Sequence, residues 1–558
     1  MQSVRHLPAD LETRRGQMFP VLAPAQLERL AACGRTVAFD SGELLFDEGS
    51  ENVPFYVVLE GKLELVHPLG NLEEPITVLE PGQFTGEIAF LSDRRTLARA
   101  RAVTPLSVLR IEHERLKLLI QTDSELSELV MRAFILRRMG LLAEGLGDAV
   151  VLGSVHSTAT LRLQAFLLRN GHPYRYVDVE RDSSVQSLFD HFLVGVKDVP
   201  VLICRGERVL KNPTNAEVAE CLGFNPALDP GTVHDLVICG AGPGGLAAAV
   251  YAASEGLDVL MLEAEAPGGQ AASSSKIENY LGFPTGVSGQ ALAGRALTQA
   301  EKFGARIAVA TGAARLHCDE TPLRVELANG ESVRARAVVI ATGADYRRLD
   351  VADLGRFEGV GVYYAATHVE AQRCNAEEAI VVGGGNSAGQ AATFLAQSSR
   401  HVHVLIRGPD LASSMSRYLI RRIEETPNIT LHRRTRIVGV AGGEHLEAIT
   451  WRDDTSATEA TQPIRHVFSM TGARPNTAWL RGCVAMDDKG FVLTGQDIPR
   501  EALLASGWPR ARLPLLFETN RPHVFAVGDV RANSVKRVAS AVGEGSVCIQ
   551  LVHKVLTE

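Results

Sequence analysis

Nowhere in this chain do two cysteines stand in a Cys-x-x-Cys spacing. Its eight cysteines, Cys33, Cys204, Cys221, Cys239, Cys318, Cys374, Cys483 and Cys548, are scattered. That distribution excludes a local dithiol or zinc motif and shows no disulfide framework. Most of these thiols are expected to be reduced, buried and structurally ordinary. A basic excess is also lacking. With 57 Lys and Arg against 65 Asp and Glu, the formal charge is −8 and the pI about 6.1, which argues against a nucleic-acid partner. No apolar run reaches bilayer-spanning length, and the first residues, Met1 to Pro8, lack the apolar core of a signal peptide. A cytoplasmic protein without a membrane partner is therefore expected. No metal site, short repeat or low-complexity tract is evident.

What is present describes an ordinary globular chain: 558 residues, 46% hydrophobic, 22% charged, with 51 glycines. That length exceeds what one core can organise, so several domains are expected. From about Phe19 to Glu114 short alternating strands with glycine turns predict a small β-barrel, and helical periodicity follows from Arg115 to about Ala143. Ala149 to Leu152 opens a β-α-β-α-β order that predicts a small α/β domain, with a helix from about Thr160 to Asn170. Weakly structured stretches near Gly145 to Asp148 and from Asn225 to Gly231 are its expected boundaries. Two strand–glycine-loop–helix units lie beyond Thr232, the second inserted into the first. The expected domains are 1–145, 146–228, 232–345, 346–469 and 470–558.

His234 to Cys239 is an apolar strand leading into Gly240-Ala241-Gly242-Pro243-Gly244-Gly245 and an Ala-rich helix. Gly240, Gly242 and Gly245 allow a tight turn and close approach of a pyrophosphate to the helix N-terminus. Glu263 ends the next strand, where a carboxylate takes an adenosine ribose. A structural glycine turn is the alternative reading. Beyond it come Pro267-Gly268-Gly269-Gln270, Ile277-Glu278-Asn279-Tyr280, Ala341-Thr342-Gly343 and Phe525-Ala526-Val527-Gly528-Asp529-Val530. In that order they resemble the low-molecular-weight thioredoxin reductases over roughly Asp235 to Leu556. The resemblance implies a Rossmann-like flavoprotein that binds FAD and forms a homodimer. Its flavin-binding residues would be Gly269, Gln270, Asn279, Thr342, Gly343, Gly528 and Asp529, with Arg537, Val538 and Ala539 starting the helix that covers the flavin edge.

A second fingerprint follows Ala379 to Val382, comprising Gly383, Gly385, Asn386, Ser387 and Ala388. Arg407 stands at the end of the next strand, where an NAD-specific site carries an acid. An arginine there suits the 2′-phosphate of NADPH through a forked contact, and a solvated strand-end arginine is the alternative. The related family has two adjacent arginines, whereas Gly408 follows here.

In thioredoxin reductases a Cys-x-x-Cys pair precedes this fingerprint; here Ala365 and His368 occupy its two positions. Alanine cannot relay electrons. His368 is a candidate catalytic group that could protonate or hydrogen-bond reduced flavin, the alternative being a space-filling remnant. Cys374 lies too far along to complete a pair. The α/β segment, with its Val199-Pro200, resembles glutaredoxin or thioredoxin, in which that proline is typically cis. Ser157 and Thr160 stand at its redox positions, so it reads as an interaction or scaffold module.

Pro81 to Leu91 resembles the phosphate cassette of cyclic-nucleotide-binding domains. Gly86 and Glu87 would then meet ribose and phosphate, yet the phosphate-neutralising arginine is replaced by Thr96, flanked by Arg94, Arg95 and Arg99. A cyclic nucleotide is the implied ligand, with a degenerate packing or dimerisation module as the alternative. Two functional classes result. One is an enzyme in which NADPH reduces FAD and the flavin passes electrons to an unidentified acceptor. The other is a non-catalytic sensor or scaffold.

Overall fold

The computed structural model describes residues 9–69, 72–87, 90, 94–154, 157–180, 198–205, 208–274, 276–364, 366, 371, 374, 376–443, 445–508 and 512–558. At the N-terminus a three-stranded and a four-stranded antiparallel sheet face each other. Phe55, Phe84 and Phe134 are fully buried between these strands and the following helices. The helical stretch expected to be continuous breaks into His113–Thr122 and a cap helix, Ser124–Glu144. Asp123 causes the break: its backbone is extended and its carboxylate accepts the Leu126 amide, an N-cap that starts a new helix.

The boundary expected to be slack at Asp148 is tight. Its buried carboxylate meets His172 Nε2 at 2.8 Å and Arg205 Nε at 3.4 Å. Burial alone would push Asp148 upward, but those two donors hold its carboxyl below the usual range.

The middle unit is a four-stranded sheet in the order Arg208–Lys211, Val201–Cys204, Ala149–Gly153, Arg175–Asp178. Only the last two strands run parallel. The edge strand Arg208–Lys211 and the helix Asn215–Leu222 extend the expected order. The expected helix near Thr160 spans Thr158–Arg169, because Ser157 caps it by accepting the Thr160 amide. Thus the two residues at the redox positions form a helix cap. The Val199–Pro200 bond is cis, and the second helix expected before it falls outside the described residues. Asn225, expected in a linker, clamps Val309 through both its side-chain atoms at 2.8 and 2.9 Å.

In the next unit the strands Arg306–Ala308, Val259–Leu262, Val233–Cys239 and Ser332–Ile340 lie parallel. Val524–Ala526 returns to pair with Ser332–Ile340, also in parallel. Between them the chain leaves and re-enters through the antiparallel pair Ala344–Tyr346 and Ala473–Pro475. The excursion builds a second parallel sheet in the order Val362–Tyr363, His466–Ser469, Glu378–Val382, His401–Leu405, Ile429–His432. The C-terminal helix Val538–Leu556 lies against Pro243–Ser254. Their backbones approach so closely that a Cβ on Gly545 would strike the Gly244 carbonyl.

The cysteine expectation needs correction. Cys204 pairs with Cys221 and Cys318 with Cys483 as disulfides. Each pair joins separate elements, 17 and 165 residues apart in sequence, so spacing carries no sign of them. Cys239 and Cys548 are buried thiols, and burial pushes Cys239 up to about 12. Cys374 is fully buried. Among the described residues no helix is long and apolar enough to cross a membrane.

Candidate functional site: one cavity between two dinucleotide folds

The parallel strands end at a cavity of about 1590 Å³. Its wall includes Gly240, Gly242, Glu263, Gly269, Gln270, Asn279, Thr342, Gly343, Gly528, Asp529, Arg537 and Val538, and also Asn386 and Ser387 of the second fingerprint. Gly245 and Ala539 are not part of this wall, nor are Gly383, Gly385, Ala388 and Arg407 of the second fold.

The three glycines of the first fingerprint do different work. Gly240 has φ +109° and its missing Cβ makes room for the Ala341 carbonyl, while a Cβ on Gly245 would strike the Gly240 carbonyl. These two are required by the protein's own packing. Gly242 is different: it is the helix N-cap in ordinary extended backbone, and its Cβ would meet only the Gly269 Cα at 3.9 Å. The space before it is open, at a helix N-terminus whose dipole favours an anion. A diphosphate fits that cradle.

Glu263 accepts the Ala241 and Glu265 amides at 2.8 and 2.9 Å, which locks it at the strand end. Burial pushes its carboxyl up, opposed by those two bonds. Gln270 donates to Asp345 at 3.0 Å, a partner with no signal in the local sequence. Thr342 and Asn476 exchange side-chain-to-carbonyl bonds of 2.8 and 3.1 Å across the two crossing strands. Burial pushes Asp529 up and Lys536 down, each opposed by the other's charge. Lys536 Nζ donates to the Asp529 carbonyl at 2.7 Å. The Gly528 amide is held by Glu544 of the C-terminal helix at 2.7 Å. Together these residues leave a slot, larger than the usual small-molecule pocket, that suits FAD beside a second dinucleotide.

At the second fold, Gly383 has no room for a Cβ beside the Met470 carbonyl at 2.5 Å. Gly385 caps the helix Asn386–Leu395. Arg407 is exposed at the end of its strand. The neighbouring strand end is tied beside it by the Arg434 amide donating to the Gly408 carbonyl at 3.1 Å. Ala365 and His368 lie outside the described residues. Tyr363 and Tyr364, just before them, line the cavity.

The described part of the N-terminal cassette packs on the cap helix. Gly86 has φ +99°, and a Cβ there would meet the Phe134 ring of the cap helix at 2.7 Å. Glu87 faces Arg138 of that helix at 3.2 Å, both largely buried. Arg137 donates to the Gly86 carbonyl at 2.7 Å, and burial pushes it down to about 9. The arginines around Thr96 all have partners inside the protein. Arg94 reaches the Asn170 carbonyl, Arg95 reaches Glu51, and Arg99 reaches Asp47 and Glu73.

Residues 234–545 match the family model described as pyridine nucleotide-disulphide oxidoreductase, and residues 36–123 match the cyclic nucleotide-binding domain. The chain belongs to the pyridine nucleotide-disulphide oxidoreductase family. Within it, the chain is a thioredoxin-reductase-like oxidoreductase carrying an N-terminal cyclic nucleotide-binding domain. It is 30% identical over 327 residues to a thioredoxin reductase of Listeria monocytogenes, covering 58% of this chain and 95% of that one. Over 369 residues it is 28% identical to the NADPH-dependent thioredoxin reductase 3 of Arabidopsis thaliana, covering 63% and 66%. The crystal structure of T. acidophilum thioredoxin reductase superposes with a TM-score of 0.51 at 25% identity, covering 58% of this chain and 99% of that one. The expected cofactors, FAD and NADPH, are those of thioredoxin reductase-type proteins.

Proposed function

We propose that this protein moves electrons from NADPH through FAD to an acceptor other than thioredoxin, without a dithiol relay. The observation that carries this reading is the single cavity whose wall includes Gly242 and Asp529 of one fold and Asn386 and Ser387 of the other. A nicotinamide held at the second fingerprint and a flavin held at the first would share it. FAD supplies the chemistry of accepting a hydride and releasing electrons. The chain's own residues bind and orient. Gly242 and the helix behind it receive the diphosphate, and Glu263 takes the adenosine ribose. Gln270, positioned by Asp345, and Asn279 hold the isoalloxazine side, while Asp529 holds the ribityl chain. Arg407 selects the 2′-phosphate of NADPH. Thiol transfer is omitted because Ala365 and His368 stand where relatives carry the cysteine pair; by that resemblance His368 is the candidate to hold or move a proton for the flavin.

In this reading the middle unit is a thioredoxin-like module with no thiol at its redox positions, Ser157 and Thr160. A cyclic nucleotide acting on the N-terminal cassette regulates the enzyme, which works in the cytoplasm as a homodimer. Anaerobic stopped-flow mixing with NADPH and with NADH tests the proposal, followed by an acceptor panel that includes thioredoxin, quinones and oxygen. The expected result is rapid bleaching of the flavin by NADPH and no reduction of thioredoxin. Failure of both nucleotides to bleach it would instead make the protein a sensor or scaffold. Robust thioredoxin reduction would restore a thiol relay through a cysteine of another segment.

A further inference from the structure

The helix Thr158–Arg169 of the middle unit ends against the flavin cavity. Its last residue, Arg169, donates through Nη2 to the Ala266 carbonyl at 2.5 Å and lies 3.5 Å from that of Pro267. Its Nη1 is 4.0 Å from Glu265. Arg169 is also part of the cavity wall, alongside Glu263, Ala264 and Glu265, and its Nε is buried with no hydrogen-bond partner. The backbone around it is fixed. Gln290 donates to the Leu168 carbonyl at 3.3 Å, and Asn170 accepts from Arg94 at 2.9 Å. Ala266 and Val309 of the FAD-side fold are packed into the core of the middle unit. A guanidinium is therefore delivered, on a rigid helix end, to the acidic corner of the slot.

We propose that Arg169 is a binding residue for the adenosine half of the flavin cofactor, so that the middle unit completes the FAD site. The chemistry that recognises the guanidinium there is an electron-rich purine face or a ribose oxygen, both offered by the adenosine end that Glu263 marks. Tying two carbonyls together would need neither the cavity-facing position nor a cation. Arg169 also lowers the cost of burying the Glu263 charge. This site gives the middle unit a task that its sequence does not disclose.

The proposal rests on the flavin reading of the cavity, and the two can fail separately. Full-length apoprotein is titrated with FAD and followed by quenching of flavin fluorescence, for the wild type, Arg169→Gln and Arg169→Ala. Glutamine keeps a donor for the Ala266 carbonyl but removes the charge. Both variants are expected to raise the FAD dissociation constant about tenfold, and Arg169→Gln, which keeps that donor, is expected to melt as apoprotein within about 1 °C of wild type. Wild-type affinity in Arg169→Gln would overturn the proposal and leave Arg169 as a loop tie. A fall in apoprotein melting that tracks the loss of FAD affinity in both variants would overturn it equally. A wild-type apoprotein that takes up no FAD would sink the flavin reading itself.

Discussion

Gly242→Glu separates a glycine needed by the cofactor from glycines needed by the fold. The Cβ at this position meets nothing closer than the Gly269 Cα at 3.9 Å, and its backbone is in an extended conformation open to any residue. The apoprotein should therefore melt close to wild type. The introduced carboxylate projects into the diphosphate cradle. Two like charges about 4 Å apart at an effective dielectric near 20 repel by about 4 kcal/mol, which raises the dissociation constant roughly a thousandfold. The protein should purify colourless, and FAD should no longer raise its melting temperature. Gly245→Ala supplies the contrast: its methyl would strike the Gly240 carbonyl, so that variant should lose stability even without cofactor. Flavin stoichiometry from visible absorbance, with apoprotein and holoprotein melting curves, measures both effects. Stoichiometric FAD in Gly242→Glu, or an apoprotein that is itself unstable, would refute the assignment of this cradle.

Arg407→Ala should weaken NADPH about ten- to hundredfold while leaving NADH nearly unchanged, since one charge-assisted bond is worth about 1.5–3 kcal/mol; equal weakening in a binding titration would remove Arg407 as the discriminator. Glu48, with Asp148, Asp47, Arg205 and Arg99 around it, is raised to about 7, mainly by burial and then by the two aspartates. A raised acid contributes stability that is fully present below its unfolded value and lost as pH rises through about 7, so Glu48→Gln should stabilise the protein by about 1–2 kcal/mol at pH 8 and not at pH 4. Chemical denaturation at the two pH values reads this, and equal effects at both would contradict it. Cyclic AMP or cyclic GMP at millimolar concentration should raise the melting temperature of the wild type, and Glu87→Gln should remove that rise. No heat in calorimetry and no melting shift with either nucleotide would leave the cassette a packing module, held by the Glu87–Arg138 contact.

By itself the sequence determined the elements whose chemistry is local. A strand, a glycine turn and a helix must be contiguous to seat a pyrophosphate, so Gly240 to Gly245 and Gly383 to Ala388 were legible, as was the insertion of one fold into the other. Asp123 and Ser157 are also local, but their capping acts over one turn and was blurred by the longer helical pattern. Only tertiary structure decided what depends on distant partners. The disulfide pairs, the closure of Glu87 by Arg138 and the seating of Gln270 on Asp345 join positions between 17 and 165 residues apart. Asp148 read as a slack boundary because a lone aspartate near glycines looks solvated, whereas His172 and Arg205 converge on it in a buried junction. Arg169 had no signal at all. Its placement in the cavity wall follows from how the middle unit docks on Ala266 and Val309, a packing choice that periodicity along one segment does not encode.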